Sequence, residues 1–162
     1  MPRLIISNTT PIITFLGIEK LHLLEKMYES IVVPYEVYLE IEAGKDKPFY
    51  TDLKKIDWIK IEKVKNKELV EHLTTFLDKG EAEATVLAEE LQADLLLLDE
   101  RAARNYANLK GYACSGSFGV LLKAKQKGLI SEIKPLLEIA QSNGIRLSKN
   151  LIEIILREAN EI

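Results

Sequence analysis

The sequence predicts an α/β fold of three layers, with a mainly parallel sheet of four or five strands between layers of helices. Short apolar runs alternate along the chain with segments of helical periodicity, and strands separated by helices form right-handed parallel crossovers. The four consecutive leucines at 95–98 indicate a strand that is buried on both faces. Such continuous apolar character is typical of the centre of a parallel sheet.

The predicted strands are the short apolar segments of the chain. The third of them alternates apolar and polar residues, which indicates a half-exposed strand at an edge of the sheet. The last one is short and lies just before a glycine-rich turn. The five strands cover residues 4–6, 31–33, 58–64, 94–98 and 111–114.

The predicted helices carry apolar residues at helical spacing and begin at residues that favour a helix start. Cap-forming residues 7–10 precede Pro11, and proline is tolerated in a first helical turn. Pro34 opens the helix that follows the second strand. The helices cover residues 11–16, 19–28, a segment after 34, 68–77, 81–91, 101–110, a segment after 116, 132–140 and 149–159.

Composition is that of a soluble globular protein, with 47% hydrophobic and 29% charged residues. We expect a single domain over residues 1–162, with the helices from about residue 131 as an appendage to it. One cysteine, Cys114, excludes an internal disulfide and suits a reducing cytoplasm. No apolar run approaches the roughly 20 residues of a membrane span, so a cytoplasmic protein without membrane contact is expected.

Acidic and amide side chains are predicted to meet at one edge of the sheet, because the carboxyl ends of parallel strands share that edge. Asn8 follows the first strand and Asp99 the fourth, while Glu40 lies one and a half turns into the helix after the second strand. Glu81 and Glu83 begin the helix before the fourth strand. Because these two are two positions apart, they point to different sides of the helix, and we expect one of them in the site.

This pattern favours a hard divalent cation. Carboxylates held together repel one another unless a cation lies among them, and Mg²⁺ and Mn²⁺ prefer oxygen ligands. Such an ion can hold a phosphate and generate hydroxide from water. The alternative is that Asp99 caps the following helix and that the glutamates are ordinary solvated residues, one of them serving a helix N-terminus.

Five segments form an ordered set along most of the chain, from the first strand to the helix after Gly116. They are residues 6–13 (ISNTTPII), 32–37 (VVPYEV), 80–84 (GEAEA), 98–104 (LDERAAR) and 115–122 (SGSFGVLL). Together they resemble the PIN-domain nucleases, and specifically a branch related to VapC-type toxins. The resemblance implies a PIN-like α/β/α fold and a small acidic cluster that binds Mg²⁺ or Mn²⁺ and hydrolyses RNA.

By position, the resemblance assigns catalytic and metal-binding roles to four acids. Glu40 is similar to the helix glutamate of the PIN cluster, Glu81 or Glu83 to its third acid, and Asp99 to the acid at the fourth strand. The expected metal ligands are Asn8, Glu40, Glu81, Glu83 and Asp99.

Position 8 departs from the family pattern. PIN nucleases usually carry an aspartate at the end of the first strand, followed by a serine or threonine. Here the hydroxyl of Thr9 is present, whereas Asn8 supplies an amide oxygen without charge. We therefore expect weaker metal binding than in a protein with aspartate at this position.

Basic residues gather between residues 99 and 128, where six lysines and arginines stand against two acids. They could bind the phosphates of a nucleic acid, which supply affinity independent of sequence. The alternatives are solvated helix faces, or ion pairs from Arg101 or Arg104 to the acidic cluster. The candidate nucleic-acid-binding residues are Arg101, Arg104, Lys123 and Lys127.

Ser115 and Ser117 lie in the turn around residues 116–119, at the start of a helix. Their hydroxyls and the backbone N–H groups could support a phosphate there, or they could serve only the turn and the helix cap.

The leading functional hypothesis is a divalent-metal-dependent endoribonuclease of PIN type, as the toxin of a toxin–antitoxin pair. The second is a PIN-fold module that binds nucleic acid or protein and has lost strong catalysis through Asn8. The third is a Mg²⁺-dependent phosphohydrolase of small phosphate esters. The expected partners are RNA, a cognate antitoxin protein and a second copy of the chain in a homodimer.

Overall fold

A computed structural model describes residues 3–162 and confirms the predicted three-layer fold. All strand pairs in its five-stranded sheet are parallel, and the strand order is β3-β2-β1-β4-β5. The strands are β1 (Ile5–Ser7), β2 (Ile31–Pro34), β3 (Ile59–Glu62), β4 (Leu95–Leu97) and β5 (Cys114–Ser115). The half-exposed third strand lies at an edge, as its alternating pattern predicts.

Helices cover both faces of the sheet. Within residues 3–162, every helix is too short or too polar to cross a membrane. A single 3₁₀ turn, Leu53–Lys55, precedes β3. The helices are α1 (Thr9–Gly17), α2 (His22–Tyr28), α3 (Tyr35–Ala43), α4 (Lys67–Leu73), α5 (Lys79–Leu91), α6 (Arg101–Leu109), α7 (Ser117–Gln126), α8 (Lys134–Ser142) and α9 (Lys149–Glu158).

Three of the element boundaries that differ from the prediction have local explanations. Helix α1 begins at Thr9, two residues before Pro11. The proline fits the first turn, because the N–H that it lacks would have no partner within the helix there. Helix α4 ends at Leu73 because the Thr74 hydroxyl donates to the Glu71 carbonyl, in competition with further helix. Strand β5 is short, since Gly111 turns the chain with a φ of 89°.

Alternate residues of the sheet pack into two separate apolar cores. Ile5, Val33 and Leu97 face α1, α2, α3 and α7–α9, whereas Ile6 and Leu96 face α4, α5 and α6. All five side chains are buried. Burial on both faces explains the continuous apolar runs of the central strands.

The pairing of β1 with β4 determines which residues meet at the carboxyl edge. Ser7 stands opposite Leu97, and the next N–H, that of Asn8, donates to the Leu97 carbonyl at 3.0 Å. Asn8 and Asp99 therefore follow neighbouring strands at the same edge of the sheet.

The two C-terminal helices pack in the apolar core that contains Ile5 and Leu97. They contribute Leu137 and Ile155 to it, and Ile133, just before α8, lies in the same core. Their connection returns to the start of the chain, where the Asn143 amide donates to the Gly17 carbonyl at 2.8 Å. This connection therefore lies against the C-terminal end of α1.

Glu161 holds the C-terminal end in place. Its carboxylate accepts the N–H groups of Ile133 and Lys134 at 2.7 and 2.8 Å, and the Lys125 ammonium lies 3.0 Å from it. Burial opposes ionisation of Glu161, but these hydrogen bonds and the positive charge outweigh it and lower its pKa. Glu161 thus joins α7, the start of α8 and the end of the chain.

Replacing Glu161 by glutamine should lower the free energy of unfolding at pH 7 by about 1–2 kcal/mol, because charged hydrogen bonds are lost. A lowered pKa stabilises the fold above the ordinary value of 4.5, and this contribution is lost as the pH falls through the lowered value. The difference between variant and wild type in urea unfolding should therefore shrink in acid. Glu158→Gln, at an exposed position of α9, is the control; equal effects of both variants would contradict the role of Glu161.

Candidate active site

Asn8 has a buried amide oxygen that the chain leaves unpaired. The residue is 4% exposed and stands at the N-cap position of α1, yet its side chain makes no capping bond. Among residues 3–162, one buried side-chain oxygen or nitrogen has no hydrogen-bond partner, and it is Asn8 Oδ1. Leaving such a group unpaired costs about 1–3 kcal/mol, so this oxygen requires an explanation.

Glu40 lies beside Asn8 and presents one free oxygen. The Thr9 hydroxyl donates to Glu40 Oε2 at 2.7 Å, and this bond orients the carboxylate. A Cβ added at Gly80 would lie 2.7 Å from Glu40 Oε1 and 3.1 Å from Asn8 Oδ1. The two oxygens therefore both lie against Gly80, where a side chain would collide with them.

The electrostatic surroundings of Glu40 are unfavourable to its charge. Desolvation is the largest effect that raises its pKa, the Thr9 hydrogen bond opposes it, and the negative charges of Asp78, Glu36 and Glu83 add to the rise. A cation in the space beside Gly80 would offset this repulsion.

Glu81 caps its own helix. Its Oε1 accepts the Asp78 N–H at 3.0 Å while its N–H donates to Asp78 Oδ1 at 2.8 Å, a reciprocal capping box at the start of α5. The residue is 5% exposed. Its burial raises the pKa of the carboxyl against the effect of the Asp78 N–H, and Asp78, Glu100 and Glu40 raise it further.

Glu83 serves a different helix. Its Oε1 accepts the backbone N–H of Glu36 at 3.1 Å, in the first turn of α3. Both glutamates of the GEAEA segment are thus engaged with helix N-termini, where negative charge is stabilised. Glu40, by contrast, places its free oxygen Oε1 beside Asn8 Oδ1 at Gly80.

Asp99 is bound through both of its oxygens. The Ser117 N–H donates to Oδ1 and the Ser117 hydroxyl donates to Oδ2, each at 2.6 Å. The sequence alternative that Asp99 caps the following helix is therefore wrong. It serves α7, because β5 pairs with β4 and brings the start of α7 to the end of that strand, whereas α6 has Glu100 at its N-cap position and no side-chain cap.

Arg104 stands next to Asp99 without forming an ion pair. A Cβ added at Gly116 would lie 2.9 Å from Asp99 Oδ1 and 3.0 Å from Arg104 Nη1. In the part of the chain that the structure describes, neither Arg101 nor Arg104 is ion-paired, so the alternative of neutralisation by these arginines is wrong. The ion pairs there are Lys79–Glu36 and Lys125–Glu161.

The remaining predicted residues surround α7. Lys123 and Lys127 are exposed at its C-terminal end, and Arg101 is exposed at the start of α6. Ser115 Oγ lies 3.3 Å from the Gly116 carbonyl and would touch a Cβ at Gly119 at 2.9 Å, so it packs beneath the first turn of α7.

Two cavities open at this edge. One, of about 510 Å³, is lined by Glu40, and the other, of about 490 Å³, by Asp99 and Arg104. Ile145, from the connection between α8 and α9, lines both. The sequence did not predict a role for Gly80, Ile145 or the neighbouring Arg146. The one available signal was that Gly80 directly precedes the acids of the GEAEA segment. No periodic pattern marks the two loop residues.

A divalent cation fits part of this arrangement. Among residues 3–162 there is no group of three or more His, Cys, Asp or Glu side chains placed to hold a metal. The unpaired Asn8 Oδ1 and the free Glu40 Oε1 are nevertheless hard oxygen donors that both lie against Gly80. Mg²⁺ is commonly held by one or two carboxylates and completes its shell with water and substrate phosphate, so the donor set suits it.

Comparison with known families identifies the fold. A sequence profile of the PIN domain matches residues 4–161, nearly the whole chain. Searches of curated proteins and of solved structures gave no significant match. The PIN domain is a nuclease-type fold, and PIN domains generally depend on a divalent metal.

Replacing Glu81 by glutamine should stabilise the metal-free protein at pH 7, since glutamine keeps the capping acceptor and removes a repelled charge. The raised pKa of Glu81 means that its contribution to stability is full below the ordinary value of 4.5 and is lost as the pH rises through the raised value. The gain of the variant should therefore appear only above about pH 4.5 in urea unfolding with EDTA. Glu89→Gln, at an exposed position of the same helix, should show no such gain. Destabilisation of Glu81→Gln at every pH would contradict this account.

Proposed function

Because the chain belongs to the PIN-domain family, we propose that it is a divalent-metal-dependent endoribonuclease. The observation that carries the proposal is the buried Asn8 Oδ1, which has no hydrogen-bond partner within residues 3–162 and lies, with the free Oε1 of Glu40, against Gly80. A cation at this place gives Asn8 Oδ1 a partner that residues 3–162 do not supply, and it offsets the burial and the neighbouring negative charges that raise the pKa of Glu40.

The proposed roles follow from these contacts. Asn8 and Glu40 hold the cation, and Thr9 keeps Glu40 Oε1 directed toward it through the bond to Oε2. Asp99 stands at the end of the neighbouring strand in a fixed orientation, because Ser117 binds both of its oxygens. Glu81 and Glu83 add negative charge around the site, while Glu81 caps its own helix and Glu83 accepts an N–H at the start of α3. When bound, a divalent cation stabilises charge on the phosphodiester and lowers the pKa of a water that attacks it.

A binding module without strong cleavage is the second candidate. Two observations favour it: Asp99 already has both oxygens occupied by Ser117, and within residues 3–162 no group of three or more His, Cys, Asp or Glu side chains is placed to hold a metal. Such a module would bind RNA or protein with the same surface and would show little dependence on metal.

The biological role within this proposal depends on the resemblance to VapC-type toxins alone. On that basis we propose a toxin with RNA as substrate, a cognate antitoxin and a homodimeric assembly. A panel of mononucleotides and small phosphate esters beside RNA distinguishes the ribonuclease from a phosphohydrolase of small substrates.

Replacing Glu40 by glutamine should reduce Mn²⁺-dependent RNA cleavage by at least about tenfold, because a carboxylate that holds the ion becomes a neutral amide. Cleavage of a labelled oligoribonucleotide with Mn²⁺, and with EDTA in its place, measures the effect. The matched control is Glu42→Gln on the same helix, where Glu42 accepts the Tyr50 hydroxyl and glutamine can do the same. Metal-dependent cleavage that is equal in both variants would exclude the assigned role of Glu40, and RNA binding without cleavage by any form would favour the binding module.

Replacing Asn8 by aspartate should tighten Mn²⁺ binding, raise any cleavage and lower the stability of the metal-free protein. Opposite unit charges 4 Å apart attract by roughly 4 kcal/mol at an effective dielectric constant of about 20, and a divalent ion doubles this before desolvation is subtracted. Without metal, the added charge repels Glu40. Calorimetric Mn²⁺ titration and thermal melting with and without Mn²⁺ measure both effects.

Asn66→Asp is the matched control, because Asn66 also stands at a helix N-cap and accepts the Leu69 N–H, but lies on the exposed start of α4. It should leave metal binding unchanged. An Asn8→Asp protein that loses stability with and without Mn²⁺, and gains no affinity, would show that the amide is structural.

A further inference from the structure

The cavity beside Asp99 contains two arginines that come from distant parts of the chain. Arg104 lies on α6, and Arg146 lies in the connection between α8 and α9. Within the described range 3–162, neither guanidinium is in an ion pair with a carboxylate. Two cationic side chains without an acidic partner thus line one cavity of about 490 Å³.

The one acid of this cavity does not neutralise them. Asp99 directs both oxygens to Ser117, at 2.6 Å each, and is not ion-paired with Arg104 although both approach Gly116. The charged residues that line the cavity are Asp99, Arg104 and Arg146, so its lining carries a net positive charge. A group with negative charge is therefore the complementary ligand.

The rest of the lining is mostly apolar. Phe118 and Leu147 line the same cavity as the arginines, and Thr10 also lines it. A nucleotide unit has this combination of properties, since its phosphate is anionic and accepts forked hydrogen bonds from arginine, while its sugar and base offer apolar surface.

The arginine cavity adjoins the cavity that Glu40 lines. Ile145 lines both this cavity and the one that contains Glu40, so the two lie on either side of that side chain. Asn8 and Asp99 follow neighbouring parallel strands. A nucleic-acid strand that lies along this edge can therefore contact both cavities.

We infer that Arg104 and Arg146 together bind a phosphodiester of the RNA strand next to the one held at Asn8 and Glu40. The inference rests on the proposed function, for which it identifies a substrate subsite. Arg146 is a positioning residue that the C-terminal helix pair contributes to a site otherwise built at the sheet edge.

Equilibrium binding of a fluorescent single-stranded oligoribonucleotide, measured by anisotropy in EDTA over a series of KCl concentrations, tests this subsite without cleavage. Loss of one phosphate contact should reduce the slope of log K against log salt by about 0.7. Arg146→Gln and Arg104→Gln should each show this reduction with weaker binding, whereas Arg146→Lys should keep the slope. Arg157→Gln, at an exposed position of α9, is the control and should bind like the wild type.

The inference is overturned if Arg146→Gln keeps the slope of the control, or if the folded wild type does not bind RNA. Thermal melting confirms that each variant is folded, and Arg146 is exposed, so its replacement leaves the apolar cores intact. Competition with inorganic phosphate and with a mononucleotide distinguishes the source of the phosphate. If either binds with full dependence on Arg146 while RNA binding is independent of it, the subsite takes free phosphates and the RNA assignment is wrong.

Failure of this inference and failure of the proposed function give different results. Arginine-dependent RNA binding by a protein that never cleaves RNA would support the subsite and exclude the nuclease. Metal-dependent cleavage with unchanged salt slopes in both arginine variants would support the nuclease and exclude the subsite.

Discussion

The parallel pairing of β1 with β4 is the constraint on which the candidate site depends. Because the Asn8 N–H completes this ladder by donating to the Leu97 carbonyl, Asn8 is held at the carboxyl edge with its side chain buried. Within residues 3–162 its Oδ1 has no donor, and it lies with Glu40 Oε1 against Gly80. A side chain at position 80 would collide with both oxygens, so backbone pairing and the absence of one Cβ together form the proposed cation site.

The C-terminal helices extend this edge into a larger surface. Glu161 ties the end of the chain to α7 and α8, and the Asn143 amide ties the α8–α9 connection to Gly17. These bonds place Ile145 between the two cavities and Arg146 in the positively charged one. The region after residue 131, expected as an appendage, thus supplies walls to both cavities.

The sequence was sufficient to predict the sheet, the parallel direction of its strands and the edge at which polar residues gather. Apolar runs and strand–helix alternation carry that information, and the position of Asn8 and Asp99 after their strands follows from it. The hydrogen-bond partners were harder to predict, because Ser117 and Glu36 each bind a carboxylate that is distant from them in the sequence. Asp99 accepts a hydrogen bond from the start of α7, and Glu83 accepts one from the start of α3, because the fold brings these segments close together. Arg146 lies in a loop that is held by the hydrogen bond from Asn143 to Gly17, which is 126 residues away in the sequence. No local sequence pattern predicts that placement.

The most direct test of the central claim is anomalous diffraction at the manganese edge from crystals of the protein soaked in Mn²⁺. The account predicts an anomalous peak in contact with Asn8 Oδ1 and Glu40 Oε1, beside Gly80. Well-ordered crystals with no peak at this position, and an Asn8 Oδ1 that accepts a hydrogen bond from a water or from the chain, would contradict it.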